Sequence, residues 1–139
     1  MLRPVTTRGD AALSDMFGVY VHIPFCASKC DYCAFATWTD RHHLTDSYLG
    51  ALGAEIERAV AGGMPVADTV FVGGGTPTLV PPERLAAVIA LIPKAPDAEV
   101  TVECNPDDVT PEMLRAFVDG GVNRVSIGVQ SMSAHVLTA

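Results

Sequence analysis

Four apolar stretches in which side chains alternate predict β-strands, and a segment with helical spacing separates each from the next. The predicted strands are 17–23, 68–75, 98–106 and 122–130. Between the first two, Leu49, Leu52, Ile56 and Val60 recur at helical intervals, and the segments 81–92 and 110–121 repeat this pattern. Alternation of strands and helices with short links predicts an α/β fold, with parallel strands joined by right-handed crossovers in an open sheet or a barrel.

The predicted helices carry start and stop residues. We expect Thr45 to cap the first helix and Gly62 with Gly63 to end it. Pro82 suits the first turn of the second helix, and Thr110 is expected to cap the third.

The two faces of the predicted sheet differ in polarity, because side chains alternate along a strand. The apolar face holds Val19, Val21, Ile23, Val70, Val72, Val100, Val102, Cys104, Val125, Ile127 and Val129. The polar face holds Tyr20, His22, Thr69, Phe71, Gly73, Thr101, Glu103, Arg124, Ser126 and Gln130. A sheet covered by helices on both sides would be apolar throughout. We therefore expect helices on the first face only, and we expect the second face to line a partial TIM-like (β/α) barrel of about four strands.

Composition indicates one globular unit. With 49% hydrophobic residues in a chain of 139, there is enough apolar material for a core. Residues 1–16 show no period and are expected to be a flexible extension, with residues 17–139 forming the domain. A net charge of −7 argues against nucleic acid as a partner. No transmembrane segment or signal peptide is expected, so a cytoplasmic location follows.

Three cysteines, Cys26, Cys30 and Cys33, lie in a C-x3-C-x2-C pattern just after the first predicted strand. A reducing compartment disfavours disulfides. Zinc sites usually combine two separated pairs of ligands, and no second pair exists here. Three thiolates on one loop suit a 4Fe–4S cluster with one iron left open. Cys104 could supply a fourth ligand, but by alternation it points toward the helices. A zinc module and cysteines acting as small buried side chains remain the alternatives.

Further motifs also lie at the carboxyl ends of predicted strands, where barrels of this kind place their active sites. Gly73 to Gly75 form either a tight turn or backbone that a ligand approaches closely. Glu103 is either paired with Arg124 or, together with Gln130, bound to a polar ligand.

Several other side chains have less distinctive roles. We expect His22 to form hydrogen bonds in the barrel interior and His42 to lie on an exposed helix lead-in. Tyr32 and Phe35 either pack the cysteine loop or cover an aromatic base.

The motifs YVHIPFCASKCDYCAF, VFVGGGTPT, VECNPDDVT and RVSIGVQS occur in this order between residue 17 and about residue 135. They resemble the radical S-adenosylmethionine enzymes, and within them the oxygen-independent coproporphyrinogen III oxidase-like group. The resemblance implies that Cys26, Cys30 and Cys33 bind a 4Fe–4S cluster whose open iron is chelated by S-adenosylmethionine. It further implies contacts to S-adenosylmethionine from Tyr20, Tyr32, Gly74, Gly75, Thr76, Glu103 and Gln130. In the family, the reduced cluster gives one electron to the sulfonium and releases a 5'-deoxyadenosyl radical.

Two features limit what the resemblance implies. Decarboxylases of the group carry a fourth cysteine two residues past the third, where this chain has Phe35. This favours the branch of heme chaperones, with heme and a heme-receiving protein as partners, over decarboxylation of coproporphyrinogen III. Chains of the family also continue well beyond four strands. We therefore expect this chain to be truncated, with most residues that recognise a tetrapyrrole lying elsewhere.

Overall fold

The computed structural model describes residues 16–137. The expectation of a flexible extension at 1–16 therefore falls almost entirely outside the described residues. The elements in chain order are β1 Gly18–Ile23, α1 Thr45–Ala61, β2 Ala67–Gly74, α2 Pro82–Ala90, β3 Lys94–Cys104, α3 Pro111–Asp119, β4 Arg124–Ile127 and α4 Ala134–Leu137. Short 3₁₀ turns, His42–Leu44, Pro77–Leu79 and Pro106–Asp108, precede α1, α2 and α3.

All four strands form one parallel sheet in the order β1-β2-β3-β4. Val72 pairs with Val21 on one side and Val102 on the other, and Val102 pairs in turn with Val125. This register places the alternating valines of four strands on one face. The predicted α/β class with four parallel strands is confirmed.

The hydrophobic core lies between that face and the first three helices. Val70, Val72, Val100 and Val102 of the sheet are at most 2% exposed. They form one cluster with Leu49 and Ile56 of α1, Leu85 and Ile89 of α2, and Met113 and Phe117 of α3. Each fully buried side chain of this size contributes about 2 kcal/mol to the free energy of unfolding.

Strand β4 is shorter than the sequence pattern predicts. It ends at Ile127, and Gln130 adopts a positive φ of 62°. The amide of Val129 donates to the carbonyl of Ile127, and such a tight turn carries the chain away from the ladder. Val125 and Ile127 are 37% and 46% exposed. The expectation that they pack against helices is therefore wrong within residues 16–137.

The helix ends agree with the sequence prediction, including the end of α1 at Gly62, and only the start of α1 differs. Thr45 is the first residue of α1 and not its cap, because the turn His42–Leu44 precedes it and its hydroxyl donates to the carbonyl of His42 over 2.7 Å. Thr110 does cap α3 and accepts from the amide of Met113.

Candidate functional site

The cysteine loop, residues 24–38, leaves the carboxyl end of β1 and is bonded back onto itself. The amide of Trp38 donates to the carbonyl of Pro24 over 2.8 Å, and the amide of Cys26 donates to the carbonyl of Trp38 over 3.1 Å. Phe25 and Trp38 thereby form an isolated parallel bridge. The loop is held at both ends by backbone hydrogen bonds.

Two histidines fix the cysteine loop further. Nε2 of His22 lies 2.9 Å from the carbonyl of Ala36, and Nε2 of His42 lies 3.0 Å from the carbonyl of Cys26. A carbonyl only accepts, so each Nε2 carries a hydrogen, and Nδ1 of His22 is left to accept from the hydroxyl of Tyr20 over 3.1 Å. The predicted hydrogen-bonding role of His22 is confirmed. The contact of His42 with the cysteine loop was missed, because nothing in its sequence neighbourhood pairs it with Cys26.

Gly73 and Gly74 at the end of β2, and Gly75 just after it, are required because other groups approach them closely. A Cβ at Gly73 would lie 2.5 Å from Oε2 of Glu103, and one at Gly74, whose φ is +110°, would lie 2.4 Å from the ring of His22. A Cβ at Gly75 would lie 2.5 Å from the carbonyl oxygen of Phe25. Bare backbone at this edge therefore lets the carboxylate, the imidazole and the cysteine loop pack directly over it.

Glu103 lies on the polar face, over Gly73, and Arg124 does not pair with it. The guanidinium of Arg124 donates instead to Glu99 over 3.0 Å, because the register sets Arg124 beside Thr101. Of the two alternatives for Glu103, the pairing with Arg124 is therefore wrong. Burial, and then the charge of Glu103, raises the pKa of the phenol of Tyr20 on β1. The carboxylate and the phenol thus face the same side of the sheet.

The three clustered cysteines lie on the same loop but are not gathered into one ligand set. The hydroxyl of Thr76 reaches the Sγ of Cys26 over 3.9 Å, and the amide of Cys33 donates to the carbonyl of Cys30. The charge of Cys30 and a hydrogen bond with it raise the pKa of the exposed Tyr32. Within residues 16–137, no three side chains of His, Cys, Asp or Glu stand close enough to hold a metal ion.

Cys104 lies on the other side of the sheet, as alternation predicts. It is 4% exposed and belongs to the core between sheet and helices. Burial, and then the charges of Asp108 and Glu103, raises the pKa of its thiol. This placement separates Cys104 from the cysteine loop.

Gln130 lies beyond the end of β4, with its backbone in the left-handed region. Its side chain approaches Gly128, where an added Cβ would lie 3.2 Å from Nε2. A non-glycine residue held in this conformation costs about 1 kcal/mol or more. Such strain is common where a side chain has to be aimed at a ligand.

A groove between α2 and α3 lies on the outer side of the helices, away from these motifs. Its floor consists of Gly120 and the alanines Ala86, Ala87, Ala90 and Ala116. Its charged rim consists of Glu83, Glu112, Arg115 and Asp119. Arg115 is paired with Glu112 over 3.1 Å. The chemistry-bearing residues therefore indicate the carboxyl ends of the strands, and not this groove, as the functional site.

The donor set at these strand ends fits an iron–sulfur cluster. Cys26, Cys30 and Cys33 are free thiols, and two of them are partly buried while Cys30 is exposed. Soft thiolates favour zinc or iron–sulfur clusters over hard cations. Fold and donors together define a parallel α/β protein with three free thiols on the loop at the carboxyl edge of its sheet.

Comparison with known proteins identifies the family. The sequence profile of the Radical SAM superfamily matches residues 20–139. The chain therefore belongs to the radical SAM superfamily, and this membership implies a 4Fe–4S cluster and S-adenosylmethionine as cofactors.

Several relatives of this chain are heme chaperones. It is 44% identical to heme chaperone HemW of Mycobacterium tuberculosis over 96% of this chain and 37% of that protein. It is 39% identical to heme chaperone HemW of Bacillus subtilis, over 88% of this chain and 34% of that one. The chain thus spans about a third of the length of these relatives.

A solved structure shares the fold. The coproporphyrinogen III oxidase HemN of Escherichia coli, a radical SAM enzyme, superposes with a TM-score of 0.75 at 32% identity. The match covers 87% of this chain and 29% of the HemN chain. In the described part of the chain, no helix has both the length and the apolar character needed to cross a membrane.

Proposed function

We propose that this chain binds a 4Fe–4S cluster through Cys26, Cys30 and Cys33 and holds S-adenosylmethionine beside it, as part of a heme chaperone. The observation that carries the proposal is the anchoring of the cysteine loop beside the bare glycine edge of β2. Three thiols suit a cluster that keeps one iron open to an exchangeable ligand. The cluster, when bound, supplies the electron for reductive cleavage of the sulfonium.

The remaining predicted residues have separate roles in this proposal. The half-buried backbone at Gly74 and Gly75, with the hydroxyl of Thr76 close to Cys26, receives the amino-acid end of S-adenosylmethionine in this proposal. Glu103 on the polar face accepts hydrogen bonds from hydroxyl groups of the ligand. In this proposal Tyr20, Tyr32 and Gln130 orient the remainder of the ligand.

Anaerobic reconstitution with iron and sulfide tests the cluster. We expect the purified protein to gain visible absorption and, after reduction, an EPR signal, and to lose both in Cys26→Ala, Cys30→Ala or Cys33→Ala. Cys104→Ala is the matched control, because that thiol is buried on the other side of the sheet and the variant should keep the cluster. Colourless protein that retains zinc would overturn the assignment in favour of a zinc module.

Heme delivery is the activity that the relatives favour. Two HemW proteins share 44% and 39% identity with this chain, and Phe35 stands where decarboxylases of the group carry a fourth cysteine. Free thiols are consistent with a reducing, cytoplasmic location as part of this proposal. We expect the protein to bind heme, seen as a Soret band, and to transfer it to an apo-hemoprotein.

Oxidative decarboxylation of coproporphyrinogen III is the second candidate function, because the superposed structure is an oxidase of that substrate. Incubation with coproporphyrinogen III, S-adenosylmethionine and a reductant without oxygen separates the two. Formation of protoporphyrinogen IX would favour the oxidase. Heme transfer without that product would favour the chaperone.

A further inference from the structure

A small polar network joins the loops that follow β2 and β3. The hydroxyl of Thr78 donates to Oδ2 of Asp108 over 2.7 Å, and it accepts from the amide of Asn105 over 3.3 Å. The amide of Asp108 donates in turn to the carbonyl of Asn105 over 3.1 Å. Thr78 is only 7% exposed. We call this set, Thr78, Asn105 and Asp108, the loop latch.

The loop latch lies next to the proposed S-adenosylmethionine site without being part of it. Thr78 follows Thr76 by two residues, and Asn105 follows Glu103 by two residues. The pairing between β2 and β3 ends at Val72 and Val102. Backbone hydrogen bonds of the sheet therefore do not hold the two following loops together. The distance between the Thr76 backbone and the Glu103 carboxylate therefore depends on what holds the loops together beyond the strands.

The chemistry of the loop latch requires a hydroxyl at position 78. A single hydroxyl can donate to a carboxylate and accept from an amide at the same time. Valine has the same shape as threonine but can do neither, and it would leave the partly buried Asp108 carboxylate and the Asn105 amide without this partner. Serine keeps the hydroxyl and loses only a methyl group.

We propose that the loop latch positions the S-adenosylmethionine site, by setting the spacing between the glycine edge of β2 and Glu103. The inference rests on the proposed function, because it needs S-adenosylmethionine as the ligand. Thr78 and Asp108 are positioning residues and contact neither cofactor. Breaking the loop latch lowers affinity for S-adenosylmethionine while the cluster, held by a different loop, stays in place.

The test compares the full-length reconstituted protein with Thr78→Val, Thr78→Ser, Asp108→Ala and the double variant Thr78→Val/Asp108→Ala. Anaerobic equilibrium dialysis with labelled S-adenosylmethionine gives Kd, iron analysis gives cluster content, and EPR of the reduced cluster is recorded with and without S-adenosylmethionine. Thr69→Val, the same substitution near the amino end of β2, is the matched control.

We expect Thr78→Val to weaken binding about tenfold, the effect of one lost hydrogen bond to a charged group. Iron content should be unchanged, and the EPR change on adding S-adenosylmethionine should need correspondingly more ligand. Thr78→Ser should restore binding to within about twofold. The double variant should bind no worse than Thr78→Val, because that substitution already removes the contact between Thr78 and Asp108. Thr69→Val should bind like the unsubstituted protein.

Unchanged Kd in both single variants, or losses that add in the double variant, would overturn the loop latch while leaving the proposed function intact. If Thr78→Val does not fold, judged by far-UV circular dichroism, Asp108→Ala and Asp108→Asn decide. Asparagine keeps an oxygen that accepts from Thr78, so it should bind better than alanine, and equal losses would count against the loop latch. Failure of the unsubstituted, cluster-loaded protein to bind S-adenosylmethionine would instead overturn the proposed function, and the loop latch with it.

Discussion

Replacing Gly75 by alanine is expected to destabilise the protein by separating β2 from the end of β1. The new Cβ would lie 2.5 Å from the carbonyl oxygen of Phe25 and 2.8 Å from that of Ile23. These two oxygens accept the hydrogen bonds from the amides of Thr76 and Gly75, each 2.7 Å long. Relief of the overlap therefore has to lengthen both bonds.

The magnitude follows from what those two bonds hold in place. Each backbone hydrogen bond contributes about 1 kcal/mol net. Phe25 and Ile23 are 2% and 0% exposed, so moving their backbone also disturbs packing, which costs about 1 kcal/mol more. We expect Gly75→Ala to lower the free energy of unfolding by about 3 kcal/mol.

Urea unfolding followed by circular dichroism and by fluorescence measures this loss. The chain has a single tryptophan, Trp38, and its backbone bridges Phe25, so its emission reports on the displaced segment. Gly50→Ala is the control: it lies on the exposed side of α1 with nothing within 4 Å of an added Cβ. This variant should gain up to about 1 kcal/mol from better helix propensity. A loss below about 0.5 kcal/mol in Gly75→Ala, with unchanged Trp38 emission, would refute the steric reasoning.

Three further outcomes are expected. His42→Ala removes the hydrogen bond to the Cys26 carbonyl and should speed iron release to a chelator about tenfold, whereas His42→Gln, which keeps a donor, should not. Asn123→Ala removes two side-chain hydrogen bonds to the backbone of β3, 2.8 and 2.9 Å long, and should cost about 2 kcal/mol in urea unfolding; a loss near zero would contradict this. Burial raises the pKa of the Cys104 thiol, so its thiolate fraction at about pH 8 is small, and iodoacetamide should label the exposed Cys30 well before Cys104 in native apo-protein. Equal labelling rates would contradict that order.

The alternation of apolar residues and the prolines and glycines at helix ends predicted the sheet well, because both signals are local. The valines of β2 and β3 and the proline and glycine residues at helix ends each act within a few positions of themselves. The same logic placed Cys104 toward the helices, where it is buried. The four parallel strands and the apolar face of the core needed no further information.

Pairings between strands could not be predicted, because register depends on all strands at once. Arg124 lies beside Thr101 and donates to Glu99, because β3 and β4 pair two residues away from the register that would set Arg124 opposite Glu103. A displacement of this kind gives a charged side chain a different partner, and the neighbouring residues in the sequence do not reveal it. The length of β4 was missed for a similar reason, because the turn at Gln130 breaks an apparently continuous pattern.

Contacts around the candidate site were also hidden from the sequence. His42 reaches the Cys26 carbonyl across 16 positions, and Thr78 reaches Asp108 across 30. What the sequence does offer is a pair of polar residues just after two strand ends that meet at one edge of the sheet. That signal indicates that the two polar residues lie near each other, but it does not indicate which of their atoms form a hydrogen bond.

The way the cysteine loop is joined to the sheet couples the stability of this edge to cofactor loading. Hydrogen bonds from His22, Cys26 and Trp38 hold the loop to itself and to the end of β1. The amide of Thr76, just after β2, donates a further hydrogen bond to the carbonyl of Phe25. Any species that binds only the ordered thiols adds its binding free energy to the stability of this edge. Occupancy can therefore be followed as a rise in melting temperature, and reagents that strip the metal should act as mild denaturants of the first two strands.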